Sequence, residues 1–248
     1  MKYCESVLDL IGNTPMVKLN RMVDESMATV LIKMEQLNPG GSVKDRMAVN
    51  MIRRAEERGD IKPGDTLVES TSGNTGLGLA MAAAVKGYRC IFTIPDKMSK
   101  EKIDMLKAFG SEVVVTRTDL DHDHPESYVS IAKRLAKETP NAFYIDQYYN
   151  MDNPEAHYLT TAPEIWDDTD GMLDCLVGGI GTGGTIPEWV SSSAKKRPKP
   201  DARFASSAPI RRAAFTTTSS TAAKRSRRKS IASKASDTTS WSVHSTSP

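Results

Sequence analysis

The chain has 248 residues, and 33 Lys and Arg against 31 Asp and Glu give a formal charge of +2 that hides a division: residues 1–186 hold 20 basic and 28 acidic side chains, residues 187–248 hold 13 and 3. Three cysteines without close spacing (Cys4, Cys90, Cys175) argue against a disulfide framework or a zinc site. The opening residues carry no signal-like apolar run and no stretch reaches 18 apolar residues, so a soluble, cytoplasmic protein is expected.

In chain order, residues 11–15 read as a turn and residues 29–35 as a buried strand. Ser42 followed three positions later by Asp45 is a capping-box pattern that opens a helix at about Val43. Val43, Met47, Met51 and Ala55 share one helical face, and Gly59 is placed to end it. Lys44 falls in the first turn, where the positive end of the helix dipole disfavours an ammonium and biases the amine towards its nucleophilic form. A solvated surface lysine is the plainer reading of the same residue. Gly40 and Gly41 just before it let a flat ligand approach the backbone.

A strand follows at 65–70, a loop at 72–76 and an alanine-rich helix at 76–86 ended by Gly87. Residues 89–94 form a strand, 100–109 a helix ended by Gly110, and 112–116 another strand. The loop 119–125 precedes a helix at 127–138 and a short strand at 143–146; residues 173–177 are the last clear strand. Strands alternating with helices predict an α/β domain with a mainly parallel sheet. Residues 187–248 contain 22 Ser and Thr and no Leu, Asn, Gln or Tyr. Such a stretch buries too little apolar surface to offset its ordering entropy and is expected to be disordered.

Ligands of such sheets bind beyond the carboxyl ends of the strands, where two glycine-rich loops fall. In Gly178-Gly179-Ile180-Gly181-Thr182-Gly183-Gly184-Thr185, closely spaced glycines aim backbone N–H groups at one dianion and the threonines add hydroxyls. The loop lacks the Gly-Lys-Ser/Thr of a nucleotide P-loop and the spacing of a dinucleotide fingerprint, so it suits a lone phosphate; a tight strand–helix turn is the alternative. Thr71-Ser72-Gly73-Asn74-Thr75-Gly76 offers hydroxyls, an amide and a helix N-terminus to a carboxylate or a ring oxygen, or is an ordinary helix cap. A lysine poised to attack an aldehyde, a phosphate cradle and a carboxylate loop together suggest pyridoxal phosphate and an amino-acid substrate. His122 and His124 beside Asp121 and Asp123 make an incomplete metal site on a solvated loop, so no metal is expected, and His157 reads as structural.

Ile11-Gly12-Asn13-Thr14-Pro15, Gly40-Gly41-Ser42-Val43-Lys44-Asp45-Arg46, Thr71-Ser72-Gly73-Asn74-Thr75-Gly76 and Gly181-Thr182-Gly183-Gly184-Thr185 occur in that order. They resemble the cysteine synthase/cystathionine beta-synthase family of fold-type II pyridoxal-phosphate enzymes over about residues 5–186. Residues 95–102, Pro125-Glu126-Ser127, Asp146-Gln147-Tyr148 and Asn153-Pro154-Glu155-Ala156-His157-Tyr158 resemble the cystathionine beta-synthase branch. Cysteine synthases usually carry a glycine- and lysine-containing segment near 121–127.

The resemblance implies a tryptophan-synthase-beta-like α/β fold of parallel sheets with flanking helices. A catalytic core would span 1–186, with a smaller subdomain at about 46–148, in a family homodimer. It implies that Lys44 holds pyridoxal 5'-phosphate and shuttles the substrate's α-proton, and that Asn74 bonds the ring hydroxyl. Gly181, Thr182, Gly183, Gly184 and Thr185 would hold the phosphate. Thr71, Ser72, Thr75 and Gln147 would bind the substrate carboxylate, while Tyr148 closes the site and orients the second substrate. The implied reaction is β-replacement: L-serine loses its hydroxyl as water and homocysteine thiolate adds to give L-cystathionine. Cysteine synthesis from O-acetylserine and sulfide is the alternative within the same chemistry.

After its phosphate loop the family continues with Thr-Gly-Val-Gly, Asp-Pro-Glu-Gly-Ser and Glu-Gly-Ile-Gly-Tyr-Asp segments and a late serine facing the pyridine nitrogen. None of these stands in this sequence. Read one base out of frame, Pro187-Glu188-Trp189-Val190 permits the first, the codons around Ile210-Arg211-Arg212-Ala213-Ala214 the second, and Ser233-Lys234-Ala235-Ser236-Asp237-Thr238-Thr239 the third. A frame displacement near codon 187 is therefore expected, truncating the large domain and leaving a chain that binds its cofactor poorly and turns over little. Neither a haem-carrying extension nor a C-terminal regulatory domain is expected. In a different class, the chain would be a non-catalytic product whose basic tail, with Lys224-Arg225-Ser226-Arg227-Arg228-Lys229, binds nucleic acid or another acidic partner.

Overall fold

The computed structural model describes residues 1, 3–24, 26–71, 73–121, 123–179, 182 and 214–215. A short 3-10 turn at Val7–Leu10 leads into β1 (Met16–Lys18), which pairs antiparallel with β2 (Leu31–Lys33). The run expected as a buried strand at 29–35 is thus shorter and exposed: Leu31 and Ile32 are 39% and 42% exposed, and Glu35–Leu37 turns into a 3-10 helix. Its apolar composition suits a core strand, but a two-stranded ribbon has only one neighbour to bury it.

Helix α1 (Lys44–Arg58) ends at Gly59 in the left-handed conformation, as its spacing predicts. Then come β3 (Thr66–Ser70), α2 (Asn74–Lys86, ended by left-handed Gly87), β4 (Arg89–Pro95), α3 (Lys100–Ala108), β5 (Glu112–Thr116), α4 (Tyr128–Glu138) and β6 (Ala142–Tyr144). The four strands form one parallel sheet in the order β5-β4-β3-β6. Every residue of β3 is buried, as expected of a central strand covered on both faces. Leu67 and Val68 face opposite ways. Leu67 joins Met47, Met51 and Ile52 of α1, Leu79 of α2 and Leu106 of α3; Val68 joins Ile91 and Ala132 of α4.

Helices α5 (Asp152–Ala156) and α6 (Ala162–Asp168), joined by a π turn at His157–Thr161, have no counterpart in the sequence reading. Asn153-Pro154 and Thr160-Thr161 hide them, because these residues favour turns and caps over helix interiors. Of the strand expected at 173–177 only Val177 is in one, β7 (Val177–Gly178); residues 173–176 are irregular. Within the stretch expected to be disordered, Ala214–Phe215 forms β8, parallel to β7; the rest of 187–248 lies outside the described residues. Among the described residues no helix is long and apolar enough to cross a membrane.

Candidate active site

Lys44 opens α1, but the capping differs from the expected box. Val43 stands at the cap in a helical conformation, and the Ser42 hydroxyl accepts the Lys44 N–H (3.0 Å). The Asp45 carboxylate reaches back five residues to accept the Gly40 N–H (2.6 Å). A Cβ on Gly40 would lie 2.5 Å from Asp45 Oδ1, so Gly40 is glycine to admit this carboxylate rather than a ligand. Gly41 has φ +74°, and a Cβ there would meet open space.

The Lys44 amine makes no hydrogen bond or ion pair with any described residue, and burial holds its pKa below the usual lysine range. Desolvation lowers it, in the same direction as the helix dipole expected from the position of Lys44 at the start of α1. His157 lies close enough for the two positive charges to oppose one another; burial, first, and Lys44, second, lower His157 to about 4. It is fully buried with Nδ1 3.0 Å from Thr161 Oγ1, which makes it a neutral packing residue.

The first loop lies beyond the carboxyl end of β3. Thr71 is buried and its Oγ1 accepts the N–H groups of Gly73 and Gly76, both at 3.1 Å, so it shapes the loop from within. Asn74, expected in the loop, is the first residue of α2 and is exposed. Thr75 is buried and donates to Gln147 Oε1 (2.6 Å). The Gln147 side-chain amide donates to the Ser70 carbonyl (2.9 Å) and to Glu69 Oε1 (3.2 Å), while its backbone N–H donates to Glu69 Oε2 (3.2 Å). Tyr148 is partly exposed and hydrogen-bonded to Tyr128; burial, first, and Tyr148 push the Tyr128 hydroxyl up to about 12.

Thr182 is the one described residue of the expected phosphate cradle. Its hydroxyl oxygen accepts from Asn153 Nδ2 at 2.9 Å, and the same Nδ2 donates to the Gln147 carbonyl at 2.8 Å. Ser72, Gly181, Gly183, Gly184 and Thr185 lie outside the described residues, as does His122. His124 is exposed, and among the described residues no three His, Cys, Asp or Glu side chains converge on a metal position.

The fold therefore links Thr75, Gln147 and, through Asn153, Thr182 by hydrogen bonds, with Thr71 shaping the loop that carries Thr75. Two participants escape sequence reading. Glu69 is a fully buried carboxyl that burial pushes up to about 8; an acid directly after Leu67 and Val68 in a core strand is the signal that marks it. Asn153 carries no local signal, since its importance lies in partners that folding brings to it. A half-buried amine without a partner among the described residues suits attack on an aldehyde, and the hydroxyl and amide groups of Thr71, Thr75 and Gln147 are of the kind that suits an anionic group.

The model of a family described as "Pyridoxal-phosphate dependent enzyme" matches residues 7–245, further than the motif resemblance reaches. Cystathionine beta-synthase of Mus musculus is 54% identical over 187 residues, covering 75% of this chain and 33% of the mouse protein. The Apis mellifera enzyme of that name is 51% identical (75% and 37%), and that of Saccharomyces cerevisiae 48% (73% and 37%). The chain thus spans about a third of the length of these relatives.

Among solved structures, O-ureido-L-serine synthase matches with a TM-score of 0.74 at 41% identity, over 79% of this chain and 61% of that one. A hydrogen sulfide-producing enzyme from Fusobacterium nucleatum matches with 0.73 at 40%, over 79% and 63%. With a family match over most of its length and the same fold in these enzymes, the chain belongs to the pyridoxal-phosphate dependent enzymes.

Proposed function

We propose that the chain carries the machinery for pyridoxal-phosphate-dependent β-replacement of the cystathionine beta-synthase type: L-serine and L-homocysteine to L-cystathionine and water. The observation that carries this reading is Lys44, a half-buried amine whose pKa burial lowers and which has no partner among the described residues, in a chain 48–54% identical to enzymes of that name. When bound, pyridoxal phosphate supplies an electron sink for the charge left when the substrate's α-proton departs. Lys44 anchors it and moves that proton, a task that requires the unprotonated amine its burial favours.

In this reading Asn74 bonds the ring hydroxyl from the first turn of α2, and Gly181, Thr182, Gly183, Gly184 and Thr185 hold the phosphate. Thr71, Ser72, Thr75 and Gln147 receive the substrate carboxylate; Thr75 and Gln147 stand side by side, hydrogen-bonded to one another. Tyr148, partly exposed and tied to Tyr128, closes over the second substrate.

The test replaces Lys44 with Arg, which keeps a long cation but cannot give up its proton. The lysine-dependent absorbance of bound pyridoxal phosphate is expected to vanish. In a chain with its frame restored after codon 187, cystathionine formation is expected to fall about 10³-fold or more. Persistence of both colour and product would overturn the assignment.

Cysteine synthesis is the second reading, favoured by the fold shared with O-ureido-L-serine synthase and the sulfide-producing enzyme. Offering homocysteine and sulfide as competing acceptors separates the two. A displaced frame after residue 186, with a core bounded there, is supported by identity to the curated relatives that extends over about three quarters of the chain, while the family match runs on to residue 245; the genomic bases around codon 187 decide it. Cys4 and Cys90, neither in a disulfide, suit a reducing cytoplasm. Exposed Val17, Leu31 and Ile32 on the β1–β2 ribbon suit burial in a homodimer.

A further inference from the structure

Side chains alternate along β3, so Glu69 shares the face of Leu67, which packs against α1, α2 and α3. A carboxyl on that face is fully buried, and such burial is costly unless hydrogen-bond donors converge on it. Among the described residues those donors come from a single turn, the one that follows β6. Glu69 Oε2 accepts the Gln147 backbone N–H and Oε1 the Gln147 side-chain amide, both at 3.2 Å, and the Asp146 backbone N–H adds a further bond to the carboxyl. Successive main-chain N–H groups in a turn make a concavity suited to an anion; here the protein's own carboxyl fills it.

The turn requires such an anchor. Asp146 stands in the left-handed region (φ +56°), which a residue with a Cβ adopts only at a cost. The Gln147 side chain adds ties to the Ser70 carbonyl (2.9 Å) and to Thr75 (2.6 Å), so the turn is fastened to β3 and α2 immediately before Tyr148. Tyr148 is bound at its hydroxyl end to Tyr128, whose carbonyl accepts from Thr93 of β4 (2.6 Å). We propose that Glu69 is a positioning residue: by filling the concavity at Asp146 and Gln147 it fixes the turn from which Tyr148 reaches the second substrate. The tie to that substrate rests on the reading above, in which Tyr148 closes over it; the hold on the turn stands on geometry.

The test compares Glu69→Leu and Glu69→Gln with the unaltered full chain by amide hydrogen exchange at residues 146–149, with residues 91–94 of β4 as the internal reference. Leucine is apolar and accepts no hydrogen bond, whereas glutamine keeps the shape and one accepting oxygen. Exchange at 146–149 is expected to quicken at least about tenfold in Glu69→Leu and at least about threefold in Glu69→Gln, with 91–94 within about twofold. Glu69→Gln carries the test should the leucine variant fail to fold. A smaller rise at 146–149, or an equal rise at 91–94, overturns the proposal. In the frame-restored chain Glu69→Gln is expected to raise KM for homocysteine at least about threefold and to leave KM for serine within about twofold. Equal changes in both overturn the tie to Tyr148. Failure of pyridoxal phosphate to give a Lys44-dependent absorbance overturns instead the functional reading beneath that tie.

Discussion

Asp45, next to the candidate nucleophile, sits where its charge is unwelcome. Its Oδ2 accepts the Gly40 N–H, but Oδ1 is buried without a partner among the described residues, and a Cβ on Gly78 would come within 3.3 Å of it. Burial, first, and the nearby Glu35 charge push its carboxyl up to about 6 from 3.8. A raised carboxyl favours the folded state while protonated. Its contribution is complete below pH 3.8 and lost as pH rises through about 6, on the order of 3 kcal/mol in all. Asp45→Asn keeps an acceptor for Gly40 and removes the ionisation. Compared with the unaltered chain, it is expected to gain on the order of 2–3 kcal/mol between pH 4 and pH 8. Urea denaturation at the two pH values checks this, and an unchanged difference between the proteins would mean that Asp45 titrates normally.

At the scale of elements, α1 is held at its far side by Arg46, whose side chain is almost wholly buried. Its guanidinium is bidentate to Glu35 (2.8 Å twice) and to Glu164 of α6 (2.6 and 2.7 Å), and Lys33 adds a 3.0 Å contact to Glu164. Removing one partner of such a group strands the others, so Arg46→Met is expected to cost about 3–5 kcal/mol by denaturant titration. Adding Glu164→Gln to that variant should cost less than the two single changes summed, because their effects are coupled; strict additivity would deny the network. The apolar stripe Met47, Met51 and Ala55 is legible because helical periodicity is local, and so are the glycines that end α1 and α2. Local pattern does not mark the role of Arg46, because its Glu164 partner stands 118 positions away. Nor does it mark Gly78, where a Cβ would lie 3.0 Å from Ala48 Cβ as α2 presses on α1.

Across the whole molecule, the strand–helix alternation and the loops at the strand ends follow from local pattern, which places Thr71 and Thr75 at a strand end, whereas Gln147 is named only through the family resemblance. Glu69 and Asn153 could not be assigned roles, since both act through tertiary hydrogen bonds that join segments about 30 to 80 positions apart. Those buried polar groups also set how stability responds to pH. His157, lowered to about 4 by burial, contributes stability that is full above pH 6.5 and lost as pH falls towards 4. Glu69, raised to about 8 by burial against the opposing pull of two Gln147 N–H donors, contributes stability that is full below pH 4.5 and lost as pH rises towards 8. Asp45 shares the direction of Glu69 up to about pH 6, so the trends compete between pH 4.5 and 6.5. From pH 6.5 to 8, Glu69 is the group among these three still titrating. Stability is therefore expected to fall by about 1–2 kcal/mol across that interval, and Glu69→Gln to abolish the slope. Denaturation midpoints at pH 6.5, 7.2 and 8 measure it. A flat profile in the unaltered chain would mean that the two Gln147 donors already hold Glu69 ionised at neutrality, and that its role is to fix Gln147 as a permanent anion.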